Sequence, residues 1–155
     1  MQLTSEAFSS DGAIPVEYTC DGSGVSPPLD WNGAPPDTTT LALMVTDPDA
    51  PSGAFTHWVL FNIPANVSHL PADVPRTGQL SDGTMQGKNS FGHTGYGAPC
   101  PPRGSPAHRY RFSLFAAGIA LNLPVGASKG EVLRALQGHI IEQAQLEGTY
   151  QRSSR

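Results

Sequence analysis

Charge is scarce in this chain. Asp, Glu, Lys and Arg make up 14% of its 155 residues, and the nine basic ones are scattered. No basic stripe exists that could track a phosphate backbone, which argues against nucleic-acid binding. Long apolar runs are missing as well. None approaches the roughly 20 residues that cross a bilayer, so no membrane span is expected. The N-terminus, Met1-Gln2-Leu3-Thr4-Ser5-Glu6, lacks the basic and apolar regions of a signal peptide, and a cytoplasmic location is the default expectation. Cysteine is limited to Cys20 and Cys100, with no second pair at metal-ligand spacing. A disulfide between them is possible but not forced, and two separate, partly buried thiols are the plainer expectation. No internal repeat or low-complexity tract is present.

What the chain has in quantity is punctuation: 17 Gly and 15 Pro. That density argues against a helical bundle and for many short strands joined by turns. The length fits one domain with one core, residues 1–155. Leu41-Ala42-Leu43-Met44-Val45-Thr46 and His57-Trp58-Val59-Leu60-Phe61-Asn62-Ile63 are apolar without strict alternation, as strands covered on both faces are. Tyr110-Arg111-Phe112-Ser113-Leu114-Phe115-Ala116 has strand character too. Ile14-Pro15-Val16-Glu17-Tyr18-Thr19 is a candidate edge strand, where proline is tolerated. Between 64 and 107 no periodic element stands out, and so long a segment usually builds a functional surface.

One helix is predicted. Ser128-Lys129-Gly130-Glu131 is a capping box, in which the serine oxygen accepts from an N3 amide and the glutamate reaches back to the cap. Val132, Leu133, Leu136, Ile140, Ile141 and Ala144 then recur at helical spacing, with Gly148 as the stop. Gly138, inside that span, suggests close backbone packing.

The residues able to carry chemistry collect at strand ends. Asp47-Pro48-Asp49-Ala50-Pro51 closes the first apolar run and His57 opens the second, while Pro101-Pro102 precedes His108-Arg109-Tyr110 at the start of the third. If those three strands are neighbours, Asp47, Asp49, His57 and His108 converge. A carboxylate that accepts one imidazole N–H fixes the tautomer and raises the ring's pKa, leaving the other nitrogen to an incoming anion. The same residue types also suit a polar network that merely satisfies strand ends, or a divalent metal, although no strong metal spacing is present. Cys100 invites a thiol-nucleophile reading, but no local signature supports one, and a small pocket-lining residue fits better. His69, His93 and His139 read as loop or helix-surface residues.

Taken together, these motifs resemble the phosphatidylethanolamine-binding protein family, in its bacterial and archaeal Raf-kinase-inhibitor-like branch. The resemblance runs through Tyr18-Thr19-Cys20-Asp21-Gly22, Ser26-Pro27-Pro28-Leu29-Asp30-Trp31 and the Asp47–Pro51 motif. It continues through His57-Trp58-Val59, Gly87-Lys88-Asn89-Ser90, Cys100-Pro101-Pro102 and His108-Arg109-Tyr110. It implies an all-β fold, an antiparallel β-sandwich of Greek-key type with a C-terminal α-helix, and a small anion pocket at one end. By position the ligand-binding residues would be Asp47, Asp49, Pro51, His57, Pro101, Pro102, His108 and Tyr110, with Asp49, the second acid of the motif, supporting the loop and Ala50–Pro51 in the cis form. Phe55 stands where a pocket-wall tryptophan is common in eukaryotic members, and Cys100 where glycine is. The expected function is non-enzymatic binding of phosphate or a phospho-headgroup, without cofactor or metal. The alternatives are a kinase or protease inhibitor acting through the pocket rim, and a hydrolase using a His/Asp site. A homodimer is the expected assembly.

Overall fold

The three apolar runs become the centre of a sheet. In the computed structural model, which describes residues 1–153, the strands are β1 (Gln2–Thr4), β2 (Leu29–Asn32), β3 (Thr40–Asp47), β4 (Phe55–Pro64), β5 (His69–Leu70), β6 (Met85–Gln86), β7 (His108–Ala117) and β8 (Ile140–Tyr150), with helix α1 (Lys129–Leu136) before the last. A large sheet has the order β6-β4-β3-β7-β8 and a small one the order β1-β2-β5; every pairing is antiparallel. Strands β3, β4 and β6 follow in sequence and β7 returns beside β3, which is the Greek-key arrangement.

Both faces of the large sheet are covered, which is why its strands lack alternation. Leu41, Leu43, Val45, Trp58, Leu60, Phe112 and Leu114 pack toward Leu3, Leu29 and Trp31 of the small sheet. On the other face Met44, Val59, Phe61 and Phe115 meet Val132 and Leu136 of α1. Fully burying each such side chain contributes about 1.5–3 kcal/mol, before the entropy of ordering it is subtracted.

Helix α1 begins where the capping box puts it, with Ser128 Oγ accepting from Glu131 N–H at 3.1 Å and Glu131 accepting from Ser128 N–H at 3.0 Å. Its extent differs from the sequence expectation, because it stops at Leu136 and residues 140–150 form a strand. Gly138 adopts φ 83° with open space around its Cα, so it serves as a left-handed turn and not as a packing contact. Beyond it Ala144, Leu146 and Gly148 are buried at every second position, and β8 pairs along the whole of β7. Gly148 is needed there, since a Cβ would sit 2.7 Å from both Ile14 and Phe8.

Residues 14–19 are likewise not a strand. Val16–Tyr18 form one turn of 3₁₀ helix, with Tyr18 N–H and Thr19 N–H closing back on Pro15 and Val16. Just before it, Asp11–Ile14 lies on the outer edge of β8. Asp11 N–H donates to Glu147 O, Ile14 N–H to Thr149 O, and Thr149 N–H to Gly12 O. The Met1 ammonium pairs with Glu142 on the same strand.

The two cysteines are joined, and both are exposed. Their segments are held side by side by Cys20 N–H on Pro99 O (3.0 Å) and by Tyr96 O–H on Tyr18 O (2.8 Å), which brings the Cα atoms to 5.3 Å. The bond closes a loop of 80 residues. Replacing both cysteines by serine should therefore lower unfolding free energy by about 4 kcal/mol in the chain-entropy picture. Chemical denaturation of the double variant beside the oxidised protein checks this.

Candidate functional site

Strand β3 carries Asp47 at its C-terminal end, and the antiparallel neighbours β4 and β7 both start there. Asp47 shares a face with Val45, and His108 and Tyr110 alternate on β7 with Phe112, so all of them look toward the space between the sheets. His57 reaches the same space through an irregularity in register. Val45 faces Trp58 but Thr46 faces Thr56, which leaves His57 as the extra residue of a bulge. Bulges re-aim side chains in this way.

The result is a cavity of about 300 Å³, walled by Asp47, His57, His108 and Tyr110 and by the Pro51 and Pro101-Pro102 loops. Asp47, His57, His108 and Tyr110 are all at most 6% exposed. Each imidazole is fixed through Nδ1. His108 Nδ1 lies 2.6 Å from Asp47 Oδ2, and His57 Nδ1 lies 2.7 Å from Gly97 O. A carbonyl can only accept, so His57 carries its proton on Nδ1 and leaves Nε2 for the cavity. Burial pushes the His57 pKa below its ordinary value, outweighing the hydrogen bond to Gly97 and the attraction of Asp47. Asp47 Oδ1 accepts from Asp49 N–H at 2.8 Å, so the buried carboxylate is satisfied on both oxygens.

Tyr110 differs from these groups. Its ring lies 5.3 Å from His57 and 6.4 Å from His108, and its hydroxyl is buried without a hydrogen-bond partner. Burial, then the nearby Asp47 and Asp49, drive its pKa well up, so the group stays an O–H donor. A buried unsatisfied hydroxyl costs about 1–3 kcal/mol, and a ligand acceptor would remove that cost.

The structure brings together Asp47, Pro51, His57, Pro101, Pro102, His108 and Tyr110 in one wall. Asp49 is not in it. Its carboxylate turns outward to Arg109, at 2.9 and 3.1 Å from the guanidinium and 3.0 Å from the backbone N–H. These bonds to Arg109 hold its pKa at about 2 and dock the 47–51 loop onto β7. The Asp47–His108 pairing and this outward turn leave no four-residue metal set here. Among the described residues the one group of close metal-type donors is Glu6, Asp30 and His69, on the small-sheet side, where His69 Nδ1 already meets Asp30 at 2.8 Å. Ala50–Pro51 is trans, the ordinary state of an X–Pro bond. The turn is closed instead by Gly53 N–H on Ala50 O, with Gly53 at φ 98°.

Phe91 and Gly97 are parts of the site that strand-based reading does not find. Phe91 packs edge-on against Phe55 and His57, at 4.8 and 5.7 Å between centroids. Buried Asn89 sets it there by accepting from Phe91 N–H and His93 N–H and donating to Gly95 O. The Gly-rich 87–97 segment, with its side-chain amide at Asn89, was the available signal. Cys100 lines the cavity as expected, but as half of a disulfide, so it offers no thiol nucleophile.

Known proteins similar to this chain agree with one another. Residues 4–151 match the model of the phosphatidylethanolamine-binding protein family. The chain is 50% identical over 152 residues to a UPF0098 protein of Methanothermobacter thermautotrophicus, covering 98% of this chain and 99% of that one. Among solved structures it is similar to a PEBP homolog, CT736, from Chlamydia trachomatis, with 39% identity, TM-score 0.89, and 98% and 97% of the two chains covered. It is also similar to Escherichia coli YbcL, at 34% identity and TM-score 0.90, with 97% of each chain covered.

The depressed His57 pKa has a stability consequence. As pH falls below about 6.5 the unfolded imidazole takes up a proton before the native one does, so the unfolded state binds more protons and stability drops. Denaturant midpoints compared between wild type and His57→Gln should therefore diverge with pH. The wild type should lose more stability than the variant between about pH 7 and pH 5, above the carboxylate range.

Proposed function

The chain belongs to the phosphatidylethanolamine-binding protein family, and on that premise we propose that its histidine cavity binds a small phosphate-type anion, free or as a phosphorylated headgroup, and releases it unchanged. The observation that carries this reading is the Tyr110 hydroxyl, a buried donor without a partner beside two imidazoles whose Nδ1 atoms are already committed. A phosphoryl oxygen accepts from Tyr110 O–H. A phosphate P–OH donates to the neutral Nε2 of His57. When His108 carries a second proton, its Nε2–H donates as well, and the Asp47 carboxylate holds that ring in place.

Binding without turnover is favoured by what surrounds the imidazoles. Among the described residues no hydroxyl or thiol is hydrogen-bonded to either ring, and the Cys100 sulfur is tied to Cys20. General-base catalysis would need such a group, or a water, within hydrogen-bond reach. A panel of phosphate and acyl esters run on wild type, His57→Ala and His108→Ala tests this; turnover lost in both variants would replace binding by hydrolysis.

Titration calorimetry with inorganic phosphate tests the pocket itself. Affinity should fall as pH rises, because the second ionisation of a phosphate near pH 6 to 7 removes the P–OH that meets the neutral Nε2 of His57. Tyr110→Phe should weaken binding about tenfold while leaving stability unchanged or up to about 1 kcal/mol higher, since it deletes an unsatisfied buried group. Unchanged affinity in Tyr110→Phe would refute the assignment. Asp47→Asn should also weaken binding, by about tenfold, although it removes a negative charge, because the carboxylate braces His108. If Asp47 acted only by repelling the anion, the same change would tighten binding.

A further inference from the structure

A second cavity, of about 750 Å³, lies on the other side of Phe91 and Cys100, which line both. Its wall contains Arg76 and His93 and no carboxylate. Arg76 is held rigidly for a surface residue. Its Nε–H donates to Tyr96 O at 3.1 Å and an Nη–H donates to Gly24 O at 2.8 Å. Gly95, at φ 96°, presses against it so closely that a Cβ there would lie 3.0 Å from Arg76 Cα, Cβ and Cγ.

The charge of Arg76 is left over by this arrangement. Arg103, Arg109, Arg111 and Arg152 each pair with a carboxylate, but among the described residues none lies within ion-pairing distance of Arg76. The two carbonyls that hold its guanidinium are neutral acceptors, so they leave its charge uncompensated in the cavity wall. A guanidinium already fixed in place loses little side-chain entropy when an anion arrives. No acid in the wall opposes that anion.

We propose that the Arg76 cavity is a second anion subsite, and that this surface takes a phosphoester carrying a second anionic group, with the phosphoryl end in the histidine cavity and a carboxylate or phosphate on Arg76. The inference rests on the phosphate reading of the first cavity and adds the class of molecule that would use it. Phe91 and Cys100 line both cavities, with Phe55 on the first and Cys20 on the second, so the groups shared by the two walls suit a short carbon linker or a peptide backbone. Two sources share this chemistry, a small double anion and an acidic phosphopeptide.

The test compares matched probes by titration calorimetry. One arm uses carboxyalkyl phosphates of graded chain length against their methyl esters. The other uses phosphoserine peptides with a glutamate at graded spacing against the glutamine versions. In wild type at least one carboxylate probe should bind about fivefold more tightly than its neutral counterpart, the upper end for a solvent-facing ion pair, and added salt should shrink that ratio. In Arg76→Gln the ratio should fall to one, whatever the absolute affinities. Arg76→Lys, which keeps the charge without the two-carbonyl clamp, should retain part of it. The arm that shows the ratio identifies the source. Ratios of one throughout in wild type, or a ratio unchanged in Arg76→Gln, would overturn the subsite while leaving the phosphate pocket standing. Failure of every phosphate probe to bind wild type would instead remove the first cavity's reading, and this one with it.

Discussion

Strand β3 is hydrogen-bonded along both edges and buried on both faces, and the geometry of the whole site follows from that confinement. A strand so enclosed has no freedom to slip, because a shift of one residue would exchange its two apolar faces and misplace Asp47. With Asp47 fixed, the starts of β4 and β7 are fixed beside it. The Asp47–His108 bond then forms between two rigid backbones and needs no loop to organise it. The loops add the outer wall: Asp49 clamps one to β7 through Arg109, and Asn89 and the Cys20–Cys100 bridge hold the other.

Polarity in this wall is distributed unevenly. Asp47 and both Nδ1 atoms are satisfied within the protein, whereas the Tyr110 hydroxyl is not. Buried polar groups are normally paired, so an orphan donor in the wall of a cavity is where a ligand acceptor would gain most. The same reasoning applies less strongly to Arg76, which is exposed and already donates to the Tyr96 and Gly24 carbonyls. The two features differ in kind. One is a buried donor that carries a desolvation cost, and the other is a surface charge clamped by two carbonyls.

Much of the centre was legible in the sequence. The runs at 41–46, 57–63 and 110–116 lack alternation because both their faces are covered, and their flanking Asp, His and Pro residues lie at the strand ends that meet. Other features were not legible. Ile140, Ile141 and Ala144 happen to continue the helical spacing of α1, so only the left-handed turn at Gly138 separates helix from strand, and glycine by itself does not announce its φ. The disulfide depends on the Tyr96–Tyr18 and Cys20–Pro99 contacts, which join segments far apart in the chain. The partner of each histidine also depends on register: the bulge at His57 sends that ring to Gly97 and leaves the carboxylate to His108. In each case a local signal was decided by a long-range contact.

The attachment of residues 11–14 to the outer edge of β8 has a consequence for how the chain reaches this fold. Glu147 and Thr149 bind backbone groups more than 130 positions earlier, and β8 also completes the large sheet against β7. Strand β7 and residues 11–14 therefore wait on the last strand for one set of their hydrogen bonds. During synthesis the first strands have emerged long before the partner that covers β7 exists, and the open edge of β7 must be kept from pairing with another chain. A topology so dominated by distant pairings folds slowly compared with one built from local contacts. Completion of the sheet by β8 then acts as a final closure, after which the early and late ends of the chain share one set of hydrogen bonds.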